Sequence, residues 1–259
     1  MSKGSTFFMR QWREHATQWA GIAALVWSTS VSAGPDLDPG SFYHYLPANR
    51  STLLADIRNL GDATAFVQIQ LAELSFDERG EPHERPLADE DGTTRALLAT
   101  PPRLIIPASG AQQARIIYRG PRTAERYFRV RYVPVAPKPK DAFALQPEEA
   151  QAYADTLQAG VGILKAIGTI VIVSPAQPRY ATRLEPDEHR LRIVNDGNAT
   201  VRVENVQRCK LDSQACAFGT GLHIRPGQQG ELPRFAGEMY RYELREGAQR
   251  TSHVYPQVD

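Results

Sequence analysis

The chain has little of what most chemistries require. Only two cysteines, Cys209 and Cys216, stand among its 259 residues, too few for a thiolate cluster or a disulfide-rich scaffold. The six histidines are His15, His44, His83, His189, His223 and His253, and none falls in metal-ligand spacing. No glycine-rich loop joins a strand to a helix, so a nucleotide cradle lacks support, and no Gly-x-Ser-x-Gly element marks a nucleophile elbow. Asp187-Glu188-His189 reads as a solvated turn. Glu148-Glu149 and Asp89-Glu90-Asp91 sit in loop-like sequence, where spatial pairing of carboxylates is not visible. The expectation is a protein that is not an enzyme and uses no cofactor and no metal.

Charge of one sign is lacking too. Thirty basic residues face twenty-nine acidic ones, for a net charge of +1. The basic residues are scattered, which does not suit a nucleic-acid surface. No apolar run reaches the roughly 20 residues of a membrane-spanning helix. The longest near the start, Trp19 to Trp27, follows the basic residues Lys3, Arg10 and Arg13 and precedes Val31-Ser32-Ala33. That order is a secretory leader over 1–33, cut after Ala33. Cleavage would remove those three cations and Glu14, leaving a net charge of −1. In an exported chain the two cysteines read as one disulfide closing a short loop. The alternatives are weaker: six residues separate them where redox pairs usually have two, and zinc would find only His223 nearby.

What is present is punctuated β-sequence. Nineteen glycines and nineteen prolines suit short strands and turns. Ala65–Leu74 alternates with period two, as does Arg126–Val133, where Phe128, Val130 and Tyr132 share one face and Arg129 and Arg131 the other. Pro101-Pro102 predicts an edge or a strand that changes sheet. Residues 77–95 read as an exposed excursion. Residues 134–160 read as a long loop holding a short helix over 148–157. A strand, an asparagine-centred turn and a second strand occur twice, around Asn59 and around Asn195. The expectation is an all-β fold of two tandem immunoglobulin-like sandwiches, 34–176 and 177–259, divided near Pro175-Ala176-Gln177-Pro178.

The segment 161–173 stands apart. It is rich in β-branched residues, and both its faces are largely apolar, so it needs cover on two sides. If the protein does not supply both covers, a partner does.

In this order of parts the chain resembles the periplasmic pilus-assembly chaperones of the chaperone–usher pathway, nearest the divergent branch that serves common-pilus and related fimbriae. The best-matching pieces are Ala55-Asp56-Ile57-Arg58-Asn59, Thr100-Pro101-Pro102 through Gly110, Tyr127 through Pro134, and the apolar strand ending at Pro175. The resemblance implies two immunoglobulin-like domains set at an angle, a periplasmic location, pilin subunits and an outer-membrane usher as partners, and self-association of the client-free form. The last strand of the first domain would be lent to a pilin that lacks its own final strand. Counting back from Pro175 favours Val161, Ile163, Lys165, Ile167 and Thr169 as the lent face, interrupted by Lys165. The alternative face is Leu164, Ala166, Ile170 and Ile172, with Gly168 between. Better-known members hold the subunit's terminal carboxylate with a first-strand arginine and a donor-strand lysine. Here Tyr43-His44-Tyr45 and Ile170 stand instead. Arg50, Arg129, Arg131 and Lys165 are the substitutes on offer. The resemblance places the Cys209–Cys216 pair in the second domain, without a catalytic role. The competing reading is a secreted structural or adhesive two-domain β-protein of a fimbrial system.

Overall fold

The computed structural model describes residues 34–88, 94–137, 143, 146–148, 150–151, 153–154, 165–213 and 215–256. Val161, Ile163 and Leu164, expected in the apolar strand, lie outside them. The described residues from 34 onward belong to one compact unit, built as two β domains of two sheets each.

In the first domain, β1 (Leu37–Asp38), β3 (Thr52–Asn59), β8 (Ala111–Tyr118) and β6 (Leu97–Thr100) form one sheet in the order β1-β3-β8-β6. The facing sheet runs β2 (Tyr43–Leu46), β10 (Ile167–Val173), β9 (Arg126–Pro134), β4 (Ala65–Phe76) and β5 (Pro82–Pro86), with β7 (Arg103–Ile106) also on β4. The sheet change expected at the double proline occurs there: β6 pairs β8 in the first sheet and β7 pairs β4 in the second. The alternation of β4 and β9 turns Val67, Ile69, Phe128, Val130 and Tyr132 into the shared core, with Ile57, Ile116, Val171 and Val173 from their neighbours. The odd-numbered residues of β9 point the other way.

The second domain pairs β11 (Thr182–Pro186), β12 (Arg190–Asn195) and β16 (Gln229–Pro233) in one sheet. The other holds β14 (Cys216–Phe218), β13 (Val201–Lys210), β17 (Glu238–Glu246) and β18 (Gln249–Tyr255), with β15 (Leu222–Ile224) also on β13. Its core gathers Leu191, Ile193, Val201, Val203, Leu232, Tyr242 and Leu244. The expected disulfide is formed, between residues that sit opposite each other in the β13–β14 pair.

The repeated asparagine turn is one device used twice. Asn59 Nδ2 donates to the carbonyls of Ala63, Ile106 and Pro107, and its Oδ1 accepts from the amides of Asp36 and Gly61. Asn195 Nδ2 donates to Ala199 and Ile224 carbonyls, and its Oδ1 accepts from Gly197 N. Both asparagines are fully buried. The glycine two residues on has the same duty in each. A Cβ at Gly61 would strike Gly34 O and one at Gly197 would strike Arg179 O, because the entering chain crosses directly over the turn.

Six strands were not expected, among them the two short ones β1 and β14. Pro82–Pro86 lies in the stretch read as an exposed excursion but pairs with β4, and β11, β16 and β18 are regular although their side chains are mostly exposed. In the long loop, residues 147, 148, 150, 151, 153 and 154 are helical. Tyr153 and Phe143 pack edge-on against Phe66 on the outer side of β4, and Tyr153 Oη donates to Thr64 O.

Candidate functional site

The ordered part of the apolar segment is β10. One edge pairs antiparallel with β9 from Ile167 to Val173. The other pairs parallel with β2, but only from Ile170 onward, where Ile170 meets Tyr43 and Val173 meets Leu46. Among the described residues, Ile167, Gly168 and Thr169 therefore have no strand on that second edge. A row of backbone amides and carbonyls at a sheet edge is a template for another chain.

Period-two alternation assigns the faces. Ile167, Thr169, Val171 and Val173 stand opposite Tyr132, Val130, Phe128 and Arg126. Thr169, Val171 and Val173 are buried, and Ile167 packs against the domain core. Two members of the favoured odd set, Ile167 and Thr169, thus face inward. Gly168 and Ile170 face outward, exposed and half-buried respectively, while Ile172 is buried although it too faces out. Its cross-strand neighbours Tyr45 and Tyr127 account for that. Lys165 and Ala166 are exposed just ahead of the strand.

The outward face continues across the sheet. Ile170 lies in a row with Tyr43, Arg129 and Ala72, and Gly168 beside Arg131 and Gln70. Glu84 of β5 reaches back over this face. It pairs with Arg131 Nη2 at 2.6 Å and lies 3.2 Å from Arg129 Nε.

At the C-terminal end of β10 the two domains meet. His223 of β15 stacks on Tyr43 with ring centroids 3.7 Å apart, and its Nδ1 hydrogen-bonds the Tyr45 hydroxyl. Arg202 lies over the Tyr45 ring at 4.1 Å and pairs with Glu204. Glu125 accepts from Thr200 N and Thr200 Oγ1 and from the Tyr127 hydroxyl. On the far side Arg225 stacks over Phe76. Burial pushes the Tyr45 and Tyr127 hydroxyls and the Glu125 carboxyl up. Desolvation depresses the Arg202 guanidinium, and burial followed by the Arg202 charge depresses the His223 imidazole. An open cleft of about 510 Å³ beside this joint is lined by Arg50, Tyr45, Tyr180, Arg202 and Arg245.

The four basic candidates are thus dispersed. Arg50 lines the cleft, Arg129 and Arg131 lie on the sheet face with Glu84, and Lys165 precedes β10. Sequence reasoning missed Arg202 and the role of His223, since nothing local ties β13 and β15 to β2. Among the described residues no group of three or more histidines, cysteines or carboxylates could hold a metal ion.

No family model matches the chain. It is 27% identical over 213 residues to "Probable fimbrial chaperone EcpB" of Escherichia coli K12, spanning 82% of this chain and 86% of that protein. The protein of the same name from Shigella boydii serotype 4 matches to the same extent. The crystal structure of the class 5 fimbriae chaperone CfaA aligns at a TM-score of 0.51 and 15% identity, covering 86% of this chain and all of that one, a likeness of fold.

Proposed function

We propose that this chain, a relative of the fimbrial chaperones of the chaperone–usher pathway, is a periplasmic chaperone that caps pilin subunits and hands them to an outer-membrane usher. It acts by binding and not by catalysis. The observation that carries the reading is β10: an apolar strand whose leading residues, 167–169, have one open edge among the described residues. A pilin lacking its last strand would pair there through the backbone and take alternate side chains into its groove. Relatedness over both domains supports it.

The outward row Ala166, Gly168 and Ile170 is the lent face, which Leu164, outside the described residues, extends by sequence period alone; Ile172, of the same parity, is already buried between Tyr45 and Tyr127. Ile167 and Thr169 are already engaged in the chain's own core, and Lys165 is exposed ahead of the strand. Arg50, with Arg202 across the cleft, receives the subunit's terminal carboxylate. Residues 1–33 are the leader, and 34–176 and 177–259 are the two domains. Without a client, the same open edge is where a second copy would pair.

Co-expression with a candidate pilin of the same genome tests this. The wild-type chain is expected to co-purify with the pilin from the periplasm. Ile170→Asp should abolish the complex while leaving circular dichroism and melting near wild type. An unchanged complex yield from a folded Ile170→Asp protein, or loss only with Ile163→Asp, would remove the even-numbered face from the role. Failure of the wild type to retain any pilin would end the chaperone reading.

A further inference from the structure

The outward face of β10 is not a uniform apolar row. At its open end it carries only Ala166 and Gly168, both exposed. The fold does not require glycine at 168: its backbone is outside the left-handed region, and the nearest atoms to a Cβ there are the aliphatic carbons of Arg129 and Arg131, at an ordinary 3.7–3.8 Å. The missing side chain leaves those two arginine stems uncovered, side by side, next to the unpaired edge.

Their charges are not balanced. Glu84 is the carboxylate that bridges both. It accepts a 2.8 Å hydrogen bond from Arg131 Nη2. Arg129 Nε, 3.2 Å away, is out of hydrogen-bonding alignment and, among the described residues, is buried without an acceptor. One carboxylate is shared by two guanidiniums, so the trio carries a surplus positive charge. A planar guanidinium fork with unused donors selects a carboxylate.

We propose that Gly168, Arg129 and Arg131 form a docking notch for an acidic side chain of the pilin segment that pairs with the open edge of β10, with Glu84 holding the place of that carboxylate in the free protein. The notch rests on the chaperone reading and sharpens it: the client strand carries an aspartate or glutamate where a purely apolar groove would carry a hydrophobe. A client acid entering the notch gives the arginines a second carboxylate and, among the described residues, meets the repulsion of Glu84.

The test uses the full chain and the co-purifying pilin, with binding measured by titration. Arg129→Gln and Arg131→Gln should each weaken capture roughly five- to tenfold, the range of a partly exposed charged hydrogen bond, and Arg→Lys at either site should recover part of it. Glu84→Gln should strengthen capture, a change of sign that a merely structural ion pair would not give. Replacing the client acid by lysine should lose binding to the wild type and regain it with Arg129→Glu/Arg131→Glu. Equal capture by wild type and folded arginine variants overturns the notch while leaving the chaperone reading intact. So does a Glu84→Gln protein that binds more weakly. Loss of the arginine effect when residues are appended to the client's C-terminus would assign the notch to the terminal carboxylate instead. A wild type that captures no pilin removes both readings.

Discussion

Neighbouring residues of β10 should separate stability from capture. Val171 is fully buried in the first core, whereas Ile170 beside it is half-buried on the outward face. Val171→Ala removes two methyl groups from a packed site, about 1.6 kcal/mol of transfer free energy at ~0.8 kcal/mol per group. The cavity left behind raises the loss to about 2–3 kcal/mol. For a domain of this size that lowers its melting temperature by about 4–10 °C. Ile170→Ala should cost the free protein less, about 1 kcal/mol, since that side chain lies on the outward face, is only partly covered, and leaves no closed cavity when removed. In a complex the rest of it is buried. At ~1.5–3 kcal/mol for a fully buried isoleucine, the third or less that is still exposed is worth about 0.5–1 kcal/mol, or roughly two- to fivefold in dissociation constant. Thermal unfolding by circular dichroism and titration with the pilin read the two quantities separately. The reasoning fails if Ile170→Ala melts as early as Val171→Ala, or if Val171→Ala weakens capture as much as Ile170→Ala does.

Two further outcomes follow from groups away from the lent strand. Asn59→Ala removes five hydrogen bonds and Asn195→Ala three, so the first should destabilise more. With ~1 kcal/mol net per bond and added cost for buried groups left unpaired, losses of about 3–5 and 2–3 kcal/mol are expected in urea unfolding, and equal losses would contradict the accounting. His44 is held below its ordinary value by burial, against the opposing charge of Asp56, and His223 is held down by burial and by Arg202. An imidazole depressed in the folded state binds its proton more readily when unfolded, so stability should be full at neutral pH and fall as the pH drops through about 6.5. Both rings keep partial solvent contact, so the slope should stay well below the ~1.4 kcal/mol per pH unit of one fully linked proton. Glu125, pushed up by burial, works in the opposite sense and relieves part of this loss on acidification. Melting curves at pH 7.5 and 5.5 should differ less for His44→Gln/His223→Gln than for wild type, and an identical difference would refute the assignment.

The all-β class, the paired asparagine turns and the sheet change at Pro101-Pro102 were legible because each is a local device. An Asn-x-Gly turn works through its own side chain and backbone, and two prolines cannot continue a ladder. The faces of β9 were legible because one side meets only core. The face of β10 was not, because Ile172 is buried on the outward side between Tyr45 and Tyr127, which leaves three consecutive buried residues without a period. Strands such as Pro82–Pro86 escaped for the opposite reason. Every residue of Pro82–Pro86 is exposed, and that strand exists because β4 offers an edge. The joint was illegible throughout, since Tyr43, Arg202 and His223 meet only after both domains have formed.

The parallel pairing of β2 with β10 also sets an order of assembly. Tyr43 meets Ile170, 127 positions later, whereas β3 through β9 are joined largely by nearer neighbours. Closing a loop that long carries an entropy cost before any contact repays it, so the first domain can build most of its two sheets before β10 is zipped to β2. The zip between β2 and the far half of β10 is then the last pairing made, and β10, held at its leading end by β9 alone among the described residues, frays from there. Amide exchange should be fastest at 167–169 and slow progressively toward Val173, a gradient along a single strand that would let a subunit enter from the open end without unfolding the domain that holds it.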